Sequence, residues 1–125
     1  MGGRHPEWGE CYTSAEFYSI TQDKWTIVDN SLHEARHSCS TCCLGDNLFC
    51  YGGISRTGYL GSIERLDAFK IVNGQYTQWE IINLNEWIIS GRYNAMVAQI
   101  GPNHIVILGG CNDDLLADGY IYNTR

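Results

Sequence analysis

Adjacent glycines recur at Gly2-Gly3, Gly52-Gly53 and Gly109-Gly110, with spacings of 50 and 57 residues. The second and third pairs each close a short apolar run, Leu48-Phe49-Cys50-Tyr51 and Ile105-Val106-Ile107-Leu108. Similarity at a period of this size is the mark of a repeat architecture, in which one small unit is copied and stacked. A pair of glycines permits backbone conformations closed to residues with a β-carbon and lets a neighbouring strand approach closely.

An arginine keeps the same register. Arg36 lies 16 residues before Gly52, and Arg92 lies 17 before Gly109. A unit written from Arg36 passes through Ser38 to Leu44, a turn at Gly45-Asp46, and Asn47 to Gly53. A loop over residues 54–61 leads to Ser62 to Phe69, a turn around Asn73-Gly74, and Gln78-Trp79-Glu80-Ile81-Ile82. From Arg92 the pattern recurs through a turn at Gly101-Pro102-Asn103, His104 to Gly110, a loop from Cys111 to Leu116, and Tyr120-Ile121-Tyr122. The first unit is a tail: Gly2-Gly3, a loop from Arg4 to Cys11, Ala15 to Ile20, a turn at Gln22-Asp23, and Lys24 to Val28.

Each complete unit therefore reads as four short strands separated by Gly, Asn, Asp or Pro turns. The first two strands of a unit are nearly continuous runs of apolar or small residues, which predicts burial on both faces. The third alternates: Ala15, Phe17 and Ser19 face away from Glu16 and Tyr18. A sheet buried on both faces at its inner edge and wetter outside is expected of a propeller blade between two neighbours.

An Arg, an apolar hairpin closed by Gly-Gly, a Glu-x-Tyr-like strand and a Trp together resemble kelch repeats over essentially the whole chain. Glu16-Phe17-Tyr18 and Glu64-Arg65-Leu66 fit the third-strand motif, with Leu66 in place of Tyr, and Trp25 and Trp79 fit the fourth-strand Trp. A six-residue insertion separates Leu66 from Trp79 relative to Tyr18 and Trp25. The resemblance implies an all-β fold of kelch-type blades, each of four antiparallel strands, in an incomplete propeller of two to three blades. Residues 1–30 end one blade, 36–84 form a complete one, and 92–125 form most of a third. Gly2, Gly3, Gly52, Gly53, Gly109, Gly110, Arg36, Arg92, Trp25 and Trp79 are then repeat-defining packing residues. The Trp residues are expected to cover the blade flanks, and the arginines to bond carbonyls or a carboxylate between blades.

A net charge of −6 argues against a nucleic-acid grip and against an anionic membrane surface. No run of 18 apolar residues exists, and the first six residues hold no apolar signal core. Met1-Gly2 resembles the head of a myristoylation signal, but Pro6 stands where Ser or Thr is wanted. The six cysteines, at 11, 39, 42, 43, 50 and 111, are expected to be reduced thiols of a cytoplasmic protein, four of them lying in or beside apolar runs.

Two patterns suggest metal chemistry. His33-Glu34-Ala35-Arg36-His37 matches His-Glu-x-x-His, whose histidines bind zinc from one face of a helix. The following Ser-Cys-Ser-Thr-Cys-Cys is poor helix material, and Arg36 already has a place in the repeat. His33, His37, Cys39 and Cys42 offer a soft ligand set, but on a strand Cys39 and Cys42 point to opposite faces. Some kelch-like propellers are copper radical oxidases, which need His and Tyr ligands and a Tyr–Cys crosslink at the axis; no corresponding motif is found here. A metal-dependent enzyme is thus the alternative reading, with no catalytic residue, metal ligand or cofactor assigned. Asp113-Asp114 reads as a solvated turn.

The leading reading is a non-enzymatic interaction module for a protein or peptide. In kelch propellers that bind peptides, contacts often come from residues just after Gly-Gly and just after the repeat Arg. Carried over by position, these are Arg4, His5, Arg56 and Asn112, then His37, Ser38, Tyr93 and Asn94. Arg4 and Arg56 would favour a carboxylate or phosphate. Propellers close with 4–8 blades, so the missing blades are expected from a longer chain or from self-association.

Overall fold

The computed structural model describes residues 1–82 and 90–125. Residues 83 and 84, the last two assigned to the 36–84 unit, lie outside the described residues. The chain forms antiparallel sheets in sequence order. β1 (Ala15–Ser19) pairs with β2 (Lys24–Val28). β3 (Ser40–Leu44), β4 (Asn47–Tyr51), β7 (Ile63–Asp67) and β8 (Glu80–Ile82) build a four-stranded sheet in the order β3-β4-β7-β8. Between β4 and β7 a small hairpin, β5 (Ile54–Ser55) and β6 (Gly58–Tyr59), occupies residues expected to be a loop. β9 (Met96–Gln99), β10 (His104–Leu108) and β11 (Gly119–Asn123) form a three-stranded sheet with β10 central.

The expected turn around Asn73-Gly74 is preceded by a short helix, α1 (Ala68–Val72). The inserted residues make this turn of helix because Asp67 caps it, its carboxylate accepting the Phe69 N–H at 2.9 Å. Asn73 ends it, with its side-chain amide donating to the Phe69 carbonyl.

Two cores separate the three layers. Leu44, Phe49, Tyr51 and Ile63 on one face of the central sheet meet Ala95, Ile105 and Ile107 of the last sheet. Leu32, Cys50, Leu66 and Trp79 fill the other side, with Phe17 of the first hairpin packed against them. The central sheet is thus covered on both faces, as its apolar β4 requires. The first strand of each of these two sheets departs from the expected continuous burial: β3 alternates, with Thr41 and Cys43 exposed, and β9 leaves Met96 and Gln99 exposed.

Trp25 departs from expectation as well. Trp79 is 3% exposed, whereas Trp25 is 61% exposed beside Tyr18, its ring 5.1 Å away. Trp79 packs between the first hairpin and the central sheet, and Trp25 sits on the free outer side of that hairpin. The same repeat position is buried only where another layer covers it.

The repeat residues form the joints between layers. Gly3 donates its N–H to the Arg36 carbonyl at 2.8 Å, and Gly53 donates to the Arg92 carbonyl at 2.9 Å. The Arg36 and Arg92 side chains, both fully buried, turn back into their own units. Arg36 donates to the Gly52 carbonyl at 2.9 Å and to Glu64 Oε1 at 2.6 Å. Arg92 donates to the Gly109 carbonyl at 3.0 Å and to Asp118 Oδ1 at 2.8 Å. These side chains therefore tie strands within a unit, and it is the backbone carbonyl of each arginine that joins one unit to the next.

Candidate interaction face

The loops that follow Gly-Gly and the residues that follow each repeat Arg meet at one end of the sheets. His37 pairs with Ile54 and Tyr93 pairs with Cys111 as isolated bridges. The post-glycine loops fold back as small hairpins: Arg4 opposite Cys11, Ile54 opposite Tyr59, Cys111 opposite Leu115. Their return strands are in register, because Tyr12, Leu60 and Leu116 donate to the carbonyls of Gly3, Gly53 and Gly110 respectively. The first two hairpins reach onto the next layer. The Cys11 thiol lies 3.7 Å from the Ile54 carbonyl, and Tyr59 stacks on Tyr93 with ring centres 5.8 Å apart.

The structure places the eight candidate binding residues as follows. Ser38 and Asn94 have left-handed backbones, with φ of 54° and 52°, and Asn94 donates its N–H to the Ser38 carbonyl. Both are exposed. His37 is half-buried, its Nδ1 2.9 Å from the Ser38 hydroxyl. Tyr93 is half-buried under Tyr59. Asn112 points its amide at the Gly91 carbonyl. Arg56 is exposed in the turn between β5 and β6. Arg4 is exposed, its guanidinium lying against Gly9, and His5 stacks on Trp8 with ring centres 4.0 Å apart. His37, Ser38, Tyr93, Asn94 and Asn112 are linked across the last two layers through these bonds and bridges, whereas Arg4 and His5 belong to the first loop.

Sequence reasoning missed Tyr59 and set Asp113 aside as a solvated turn. Asp113 is exposed, yet it accepts a hydrogen bond from the Tyr59 hydroxyl at 3.3 Å. Burial first, then the Asp113 charge, holds the Tyr59 hydroxyl above the ordinary phenol range. The available signal was Gly91, where an added β-carbon would lie 2.3 Å from the Tyr59 carbonyl. A glycine just before the repeat Arg marks a close backbone approach.

The residues read as possible metal ligands are arranged differently. Residues 33–37 are not helical, so the two histidines of His-Glu-x-x-His do not share a helix face. Cys39 packs into the core on one side of the central sheet and Cys42 into the core on the other. Among the described residues no three His, Cys, Asp or Glu side chains converge as a metal site. A hydrogen bond from Cys50, opposed by burial and aided by the nearby Arg36 charge, lowers the Cys39 thiol to about 7.

No protein-family model matches the chain. Over 53 residues it is 38% identical to an F-box/kelch-repeat protein of Arabidopsis thaliana. The match covers 42% of this chain and 11% of that protein, so the chain spans only a small part of its relative's length.

Proposed function

We propose that the chain is an array of kelch-type blades from a β-propeller and works as a non-enzymatic protein-binding module. The observation that carries this reading is the duplicated joint, in which the second glycine of one unit donates to the repeat-arginine carbonyl of the next. Such a joint is built to be copied, and stacked copies expose their variable loops together at one end. The similarity to an F-box/kelch-repeat protein supports the same reading. The units are residues 1–30, 36–84 and 92–125, and further blades come from a longer chain or from other copies. His37, Ser38, Tyr93, Asn94 and Asn112 form the centre of the binding face, with Arg4, His5 and Arg56 around it. The six free cysteines suit a reducing compartment such as the cytoplasm.

Panning a random peptide library against the folded chain tests this. Selected peptides are expected to lose binding when Tyr93 and Asn112 are changed to Ser, and to tolerate changes at Asp46 and Asn103, in turns at the other end of the strands. Peptides that respond in the opposite way, or no selected peptides at all, refute the module as proposed.

A further inference from the structure

Three separate segments converge at the joint between the central and last sheets. Tyr59 comes from β6, Tyr93 follows the repeat arginine, and Asp113 lies at the tip of the post-glycine loop. Tyr59 is 41% exposed, and its ring stacks at 24° on that of Tyr93. Its hydroxyl is committed to Asp113 Oδ1. The position is fixed from below: Tyr93 exchanges both backbone hydrogen bonds with Cys111, and the Asp114 N–H donates to Asn112 Oδ1 to close the loop. The result is a rigid aromatic step beside an exposed carboxylate.

An aromatic face attracts a cation through its ring quadrupole, and a carboxylate alongside adds a charge-assisted hydrogen bond. We propose that Tyr59, Tyr93 and Asp113 form a subsite for one cationic side chain, lysine or arginine, of a protein partner. This rests on the binding-module reading and gives that partner its chemistry. The ring supplies the apolar surface for the methylene stem, and the carboxylate takes the charged head. The chain's net charge of −6 favours approach of a basic partner. The site also explains why aspartate stands at 113, where the preceding unit has Arg56 at the same distance after Gly-Gly. The two loops offer opposite charges, and only the aspartate is paired with an aromatic step.

The test is an NMR titration of the full chain with N-acetyl-lysine methylamide, using the norleucine and glutamate analogues as controls. Saturable shifts centred on Tyr59, Tyr93 and Asp113 are expected from lysine alone. Asp113→Asn should weaken binding at least fivefold. Asp46→Asn removes the same charge at the far end of the strands and should change it less than twofold. Tyr59→Leu should also weaken binding, with Tyr59→Phe closer to wild type because the ring face is kept. Equal effects of the two Asp variants mean a general charge attraction and overturn the proposal. So does equal binding of the norleucine analogue. If panning selects peptides that depend on Tyr93 and Asn112 but lack a basic residue, this subsite falls and the module reading stands.

Discussion

Gly52 shows what a single residue does in this chain. It has φ of +64°, and a β-carbon added there would lie 2.4 Å from the Arg92 carbonyl of the next unit. Gly2 repeats this against Arg36, also at 2.4 Å. Gly45 has a similar φ of +57° in the β3–β4 turn, with nothing within 4 Å of the added carbon. Gly45→Ala therefore isolates the conformational cost, about 1–2 kcal/mol for a left-handed residue. Gly52→Ala adds displacement of a carbonyl that bonds Gly53, for a total of about 3 kcal/mol or more. Urea unfolding of the two variants measures the difference, and equal losses refute this account of the joint. The double glycine was plain in the sequence as punctuation. The atom it makes room for was not, because Arg92 lies 40 residues away and only the fold brings its carbonyl there.

At the scale of an element, β7 organises the whole approach to the repeat arginine. Glu64 is fully buried, and its carboxylate accepts N–H groups from His33, Glu34 and the Arg36 side chain. Arg92 has a different partner: Asp118, just before β11, whose side chain is 53% exposed. Glu64→Gln leaves a buried guanidinium and two backbone donors without their carboxylate, and should cost about 3–5 kcal/mol. Asp118→Asn should cost clearly less, since water replaces the lost charge. The Arg92 hydrogen bond holds the Asp118 carboxyl below the usual aspartate range. Its stabilising contribution is therefore full above the unfolded pKa, near 4, and is lost as pH falls through the lower folded value. Unfolding curves of wild type and Asp118→Asn should differ at pH 7 and converge toward pH 2. The longer strands and their turns were legible from apolar runs, alternation and Gly-Asp, Asn-Gly and Gly-Pro signals, whereas the β5–β6 hairpin read as a loop. The helix α1 was not, since five residues are too short to show a helical period; Asp67 as its cap was the one available clue. The arginine partners were also hidden, because a repeated register says where the guanidinium starts and not which strand it crosses.

The whole molecule is a stack whose two outer faces repeat, uncovered, what its inner faces bury. On the first hairpin Tyr18, Trp25 and Ile27 are 45%, 61% and 65% exposed, while Leu66 and Trp79, at the matching places of the next unit, are 1% and 3% exposed. On the last sheet Met96, Leu108 and Ile121 are 54%, 41% and 67% exposed, whereas Tyr51, at the position of Leu108, is 2% exposed against its neighbour. Apolar patches of this kind mark interaction surfaces. They also explain why the sequence revealed stacking but misplaced Trp25: a motif fixes which face a side chain takes, and burial depends on what lies opposite. The 125 residues on their own should therefore associate as concentration rises, by these faces. Analytical ultracentrifugation should show a rising average mass for the wild type, and a lower one for the pair Leu108→Lys and Ile121→Lys, which charges one outer face. Both changes sit on exposed side chains, so circular dichroism should stay unchanged. A cooperatively folded monomer at high concentration, with no response to the two lysines, would show that these faces need no cover and would remove the support they give to the proposed array of blades.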